Sequence, residues 1–111
     1  MLILKKRAEF LAVARGGRVH KPALTLQYTL EKNLNGREET PARFGLTVTK
    51  KTGNSVVRSR IKRRLRAALQ NIDAPFALDY VIIARQPALT LPFEEIVHQL
   101  QTSLKNIKIK C

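Results

Sequence analysis

The chain has 111 residues, 44% of them apolar, which supports one hydrophobic core and excludes both a second core of useful size and an intrinsically disordered chain. Its 21 Lys and Arg against 8 Asp and Glu leave a formal net charge of +13, so a polyanion would relieve the self-repulsion of so small a body and nucleic acid is the leading partner class. The single cysteine, Cys111, excludes an intramolecular disulfide and a cysteine zinc cluster and points to a reducing compartment.

The apolar residues 1–4 precede Lys5, Lys6 and Arg7, the reverse of a signal peptide, and no run elsewhere is long enough to span a membrane. The expectation is a cytoplasmic protein with no membrane partner, folded as a single domain over residues 1–111. Residues 5–15 read as a short helix in which Ala8, Leu11, Ala12 and Arg15 follow helical spacing, Phe10 and Val13 flank that stripe, and Gly16-Gly17 stops it. Residues 18–21 suggest a brief strand before Pro22. From Ala23 the chain alternates, with Leu24, Leu26, Tyr28 and Leu30 on one face and Thr25, Gln27 and Thr29 on the other, as a half-buried strand requires.

Residues 32–41 are polar and contain Asn35-Gly36, an exposed connection between antiparallel strands. Residues 43–49 alternate again, with Phe44, Leu46 and Val48 on one side. A basic turn over residues 50–54 leads to Asn54 or Ser55 as helix cap, and a helix runs to about Asn71. After a loop at residues 73–76, the unbroken run from Asp79 to Ala84 predicts a central strand covered on both faces. Residues 90–107 form a closing amphipathic helix, with Thr90 as cap, Pro92 in the first turn, Glu94 and Glu95 at the positive end of the dipole, and Phe93, Ile96, Val97, Leu100, Leu104 and Ile107 on the apolar side. The sum is an α+β fold, a single-domain small sandwich of order α-β-β-β-α-β-α, with the helices mainly on one side of the sheet.

Residues 50–69 carry the chemistry. Lys50, Lys51, Arg58, Arg60, Lys62, Arg63, Arg64 and Arg66 follow one another with no acid between them. Val57, Ile61, Leu65, Ala68 and Leu69 collect on one helical face while the cations fan over the rest. Like charges four residues apart, such as Arg58, Lys62 and Arg66, destabilise an isolated helix. A phosphate backbone compensates, because binding it releases condensed counterions and arginine forks match phosphate oxygens two at a time.

Other classes fit less well. A nuclease needs clustered carboxylates or an oriented acid and base pair, whereas Asp73, Asp79, Glu94 and Glu95 are spread over different elements and His20 and His98 lie far apart. No catalytic and no metal-binding residue is assigned. A DNA reader would need more Asn or Gln on the basic helix to reach base edges. A ribosomal or ribosome-assembly RNA-binding protein without a cleavage role is the nearest alternative.

The run of residues 51–63 resembles the signature of the bacterial ribonuclease P protein family, K-x-G-N-A-V-x-R-N-R-x-K-R. Lys51, Gly53, Asn54, Val56, Arg58, Arg60, Lys62 and Arg63 fall on its positions, while Ser55 stands in place of the usual Ala and Ser59 in place of the central Asn. The likeness extends through residues 10–17, 28–30, 44–49 and 79–85, nearly the whole chain. What the resemblance implies is a fold like the second domain of ribosomal protein S5, with a rare left-handed βαβ crossover against the general right-handed rule. It implies that the holoenzyme is an endoribonuclease whose catalyst is a large RNA that holds magnesium, none being bound by the protein alone, and that removes the 5′ leader of precursor tRNA. The protein, non-catalytic by itself and with no obligate protein partner, would bind the catalytic RNA through Lys50, Lys51, Asn54, Arg58, Arg60, Lys62, Arg63, Arg64 and Arg66, and the leader in a cleft of the sheet at Phe10 and Tyr28. Ala14 stands at a further cleft position that is commonly aromatic in the family.

Overall fold

The computed structural model describes residues 2–4, 6–29, 43–72 and 78–107. The predicted connection at residues 32–41 and loop at residues 73–76 lie outside them. In chain order the elements are β1 (Leu2–Ile3), α1 (Arg7–Ala14), β2 (Gly17–His20), β3 (Leu24–Tyr28), β4 (Arg43–Thr47), α2 (Ser55–Leu69), β5 (Asp79–Ala84) and α3 (Phe93–Lys105), with 3-10 turns at Lys50–Thr52 and Gln86–Leu89. The two-residue β1 and the second 3-10 turn are the additions to the predicted order.

The sheet runs β1-β4-β5-β3-β2. The unbroken apolar run of β5 occupies the centre, as its composition requires, parallel to β4 and antiparallel to β3. Across the three inner strands, Tyr28 pairs with Tyr80 and Phe44 with Tyr80, and likewise Leu26 and Leu46 flank Ile82. The rings of Phe44 and Tyr80 stack at 5.0 Å between centroids and 16° between planes. This face is covered by α2 and α3, whose Ile61, Leu65, Ala68, Ile96, Leu100 and Leu104 complete the main core.

The opposite face carries Gly45, Val81 and Ile83 and is covered by α1, whose Val13 packs with Leu4 and Val81 in a smaller cluster joined by Phe10. Two expectations change as a result. First, β3 is buried at every residue rather than on one face, because α1 covers the side that Thr25 and Gln27 occupy. Second, the buried positions of α1 are Val13 and, in part, Phe10, while Ala8, Leu11, Ala12 and Arg15 face outward. Several sides of so short a helix have helical spacing, and the pair that brings the larger surface against Val81 and Gly45 is the one buried. The helices therefore divide two to one across the sheet.

At the last helix the start also differs. Pro92 takes the cap position of α3 without a side-chain cap, and Thr90 instead closes the preceding 3-10 turn, its N–H donating to the Pro87 carbonyl at 3.2 Å. Gln99 ties α3 to the sheet: its Oε1 accepts from the Ala23 N–H at 2.9 Å and its Nε2 donates to Glu95 at 3.1 Å, so both ends of a buried amide are satisfied.

Candidate nucleic-acid interface

The basic turn and helix begin at a backbone that demands glycine. Gly53 has φ +145°, and a Cβ there would stand 2.8 Å from Cγ1 of Val57. Asn54 follows as the cap, its Oδ1 accepting from the Val57 N–H at 3.0 Å. Lys50 and Lys51 sit exposed on the 3-10 turn just before it, at the positive end of the α2 dipole.

Within α2 the cations separate to either side of the buried stripe. At about 100° per residue, Arg58, Lys62 and Arg66 run along the flank toward β4. There Lys62 and Arg66 border a cleft with Phe10, Phe44 and Leu46. Arg60 and Arg63 lie along the other flank, where with Arg64 they border a groove whose far wall is Leu89, Thr90 and Phe93. Lys50, Lys51, Arg60, Lys62, Arg63 and Arg66 are exposed, and among the described residues none of the six forms an ion pair. Arg58 is partly buried, and its Nε has no hydrogen-bond partner among the described residues.

Arg64 is placed differently from its neighbours. Its guanidinium donates to the carbonyls of Leu89 and Leu91, so it braces α2 against the connection between β5 and α3. The row of cations expected from spacing is thus one member shorter in free charge, because Arg64 is engaged by those two carbonyls.

Phe10 and Tyr28, expected in a single cleft, are not brought together. Tyr28 shares the face of Leu24 and Leu26, is 6% exposed within the main core, and lays its ring over Gly17, where a Cβ would stand 2.2 Å from Cζ. Phe10 lies on the other face, against Gly45, where a Cβ would stand 2.6 Å from the ring, and it is only partly buried. Strand alternation separates them: Tyr28 registers with Tyr80, whereas Phe10 covers the position next to Val81. Phe10 still reaches the cleft beside α2, because β1 is too short to cover β4 beyond Phe44.

Sequence reasoning missed two features. Phe93, Leu89 and Thr90 complete the second groove, whereas in the sequence Phe93 stood out only for its apolar spacing and Thr90 only as a helix cap. Arg43, at the head of β4, bridges Asp79 and Glu9 from two other elements. The one sequence signal for it is that Arg43-Phe44 and Asp79-Tyr80 place a charge and an aromatic ring at matching strand starts. Hydrogen bonding to Asp79 above all, opposed by burial, holds the Arg43 guanidinium above its ordinary value. His20 is engaged with the Thr25 hydroxyl at 3.1 Å on β2, and His98 lies on α3.

The family model described as Ribonuclease P matches residues 2–108. The chain belongs to the ribonuclease P protein family. A relative named ribonuclease P protein component, from Gluconacetobacter diazotrophicus, is 43% identical over 112 residues, covering 96% of this chain and 91% of the relative. Another of the same name, from Brucella suis, is 40% identical over 106 residues, covering 90% and 75%. The solved ribonuclease P protein of Staphylococcus aureus superposes with a TM-score of 0.74 at 30% identity over 95% and 94% of the two chains. That of Thermotoga maritima, at 20% identity, a TM-score of 0.73 and 92% and 93% coverage, shares the fold. This family member therefore has the α+β architecture of solved ribonuclease P proteins. Among its described residues no helix is long and apolar enough to cross a membrane, and no three His, Cys, Asp or Glu come together as metal ligands.

Proposed function

We propose that this family member is the protein subunit of a ribonucleoprotein ribonuclease P, binding a catalytic RNA and the 5′ leader of precursor tRNA so that the leader is removed endonucleolytically. The observation that carries the reading is the arrangement of α2: a capped helix anchored through Ile61, Leu65, Ala68 and Leu69, with exposed cations on both flanks that form no ion pair among the described residues. Phosphates meeting those cations release counterions, and the isolated helix's like-charge repulsion becomes attraction. Asn54 orients this surface by setting where the helix starts.

The leader, in this reading, enters the cleft between Phe10 and the Lys62–Arg66 flank, with a base against the ring and its phosphates at the cations. Tyr28 acts from within the core, fixing β2 and β3 in register. Magnesium belongs to the RNA. The described carboxylates do not fit it, because Glu9 and Asp79 are joined to Arg43, Glu95 accepts from Gln99, and Glu94 on α3 belongs to no cluster of three metal-ligating side chains; no step is routed through the protein. The β4–α2–β5 unit, a parallel crossover, is read as left-handed in the manner of the second domain of ribosomal protein S5. Partners are the catalytic RNA and precursor tRNA, in the cytoplasm, with no obligate protein partner. A ribosomal RNA-binding role is the second reading, and residues 51–63 favour the first.

Reconstitution tests it. Protein and the organism's candidate catalytic RNA, combined at low magnesium, should cleave precursor tRNA at the mature 5′ end far faster than the RNA alone. Protein that leaves the RNA unstimulated, or that cleaves robustly without it, overturns the proposal.

A further inference from the structure

The groove on the outer flank of α2 is lined unlike the cleft at Phe10. One wall is cationic, from Arg60 and Arg63, both exposed, and the floor and far wall are apolar or aromatic, from Ala67, Leu89 and Phe93, with Thr90 supplying a hydroxyl. Among the described residues no carboxylate lines it. Its volume of about 600 Å³ falls within the range of small-molecule sites. Arg64 also lines it and, by donating to the carbonyls of Leu89 and Leu91, ties α2 to the connection between β5 and α3 that forms the far wall. Phe93 is partly exposed at the first position of α3 and borders the same groove as the guanidinium groups of Arg60 and Arg63.

We propose that this groove seats one unpaired nucleotide of the bound RNA, its base against Phe93 and its phosphate between Arg60 and Arg63. The chemistry selects this ligand. Inorganic phosphate would use the cations and leave the apolar wall wet, an aliphatic ligand would leave the cations without partners, and a nucleotide satisfies both. In paired duplex RNA the faces of the bases are covered by their neighbours in the stack, so a base that lies against Phe93 must be unstacked. The inference rests on the RNA-binding reading above and adds that α2 works through two flanks with different recognition: leader on the Phe10 side, an extruded base of the catalytic RNA on the Phe93 side.

The test uses the full chain, isotopically labelled, titrated separately with adenosine 5′-monophosphate, adenosine and inorganic phosphate while backbone amides are followed by NMR. The monophosphate should move the amides of Ala67, Leu89, Thr90 and Phe93 more than either component does alone. Phe93→Leu, which keeps the apolar packing, should lose at least about fivefold in affinity for the monophosphate, the low end of a base–aromatic stack, while its response to inorganic phosphate stays as in the wild type. Equal effects of monophosphate and inorganic phosphate, shifts confined to the Lys62–Arg66 flank, or wild-type affinity in Phe93→Leu each overturn the proposal. Should Phe93→Leu melt early, Arg63→Gln at an exposed position takes its place, and unchanged monophosphate affinity there overturns it equally. Catalytic-RNA binding measured in parallel separates the two readings. RNA bound tightly with a silent groove sinks this inference alone, and a nucleotide bound in the groove by a protein that ignores the RNA sinks the functional reading alone.

Discussion

Arg43 and Asp79 stand at the same register at the heads of the parallel strands β4 and β5, and their side chains close a two-bonded fork, Nε to Oδ1 at 2.8 Å and Nη2 to Oδ2 at 2.7 Å. The third guanidinium nitrogen, Nη1, donates to Glu9 of α1, so one side chain joins both strands to the helix on the far face. With side-chain exposures of 12% for Arg43, 21% for Glu9 and 6% for Asp79, removing Arg43 takes the cation away from two largely buried carboxylates at once.

Arg43→Met should therefore destabilise the fold by about 3 kcal/mol or more, read as the midpoint shift in urea unfolding. Asp79→Asn should cost less, since the amide oxygen still accepts one bond. The guanidinium's folded value lies above its ordinary one, so its contribution is complete at neutral pH and is lost only as the solution becomes strongly alkaline. A wild-type minus Arg43→Met stability difference that declines between pH 7 and pH 9 would contradict this assignment.

Gly45 and Phe10 form a second interlocked pair. Gly45→Ala drives a methyl to 2.6 Å from the Phe10 ring, and such overpacking costs about 1–3 kcal/mol. Combining it with Phe10→Leu should recover part of that loss, because the shorter side chain vacates the space, so the double mutant should be less destabilised than the sum. Strict additivity in thermal melts would show that the ring does not rest on Gly45.

The flank cations and Arg64 should differ in kind. Arg60→Ala and Arg63→Ala should each flatten the slope of log affinity against log salt for the catalytic RNA by about 0.7–0.9. Arg64→Ala should instead lower stability by about 1–2 kcal/mol through its lost charged hydrogen bonds, with a smaller change in slope. Equal slopes for all three variants would place Arg64 among the free cations.

Leader recognition separates the two aromatic residues. Phe10→Ala should weaken binding of leader-bearing precursor tRNA at least about fivefold relative to mature tRNA, with holoenzyme assembly retained. Tyr28→Leu, altering a ring that is 6% exposed, should lower the melting temperature and leave the ratio of the two substrates unchanged. A changed ratio in folded Tyr28→Leu would return that ring to the leader site.

Much of the molecule was legible from the chain alone, because the signals are local. A capping Asn54, the glycine before it and an acid-free basic run are set by nearest neighbours. So is the uninterrupted apolar stretch of β5, which needs two covered faces and finds them at the centre of the sheet. The resemblance to the family was carried chiefly by the same local pattern, and the match over residues 2–108 extends it to nearly the whole chain. What the tertiary structure decided are the pairings between residues far apart in sequence. Periodicity cannot say that α1 buries Val13 and part of Phe10 rather than the side holding Leu11, since that depends on Val81 and Gly45 arriving opposite. Nor can it say that β3 is covered on both faces. Alternation within a strand places Tyr28 correctly beside Leu26, yet only the packing of α1 puts Phe10 on the other side of the sheet. Among the cations of α2, spacing makes Arg64 equivalent to Arg60, and it is the carbonyls of Leu89 and Leu91, brought in by the chain's return through β5, that make one arginine a brace and leave the other free. Charge and periodicity are properties of a segment, whereas a side chain's freedom is settled by whichever distant polar group lies within hydrogen-bond reach.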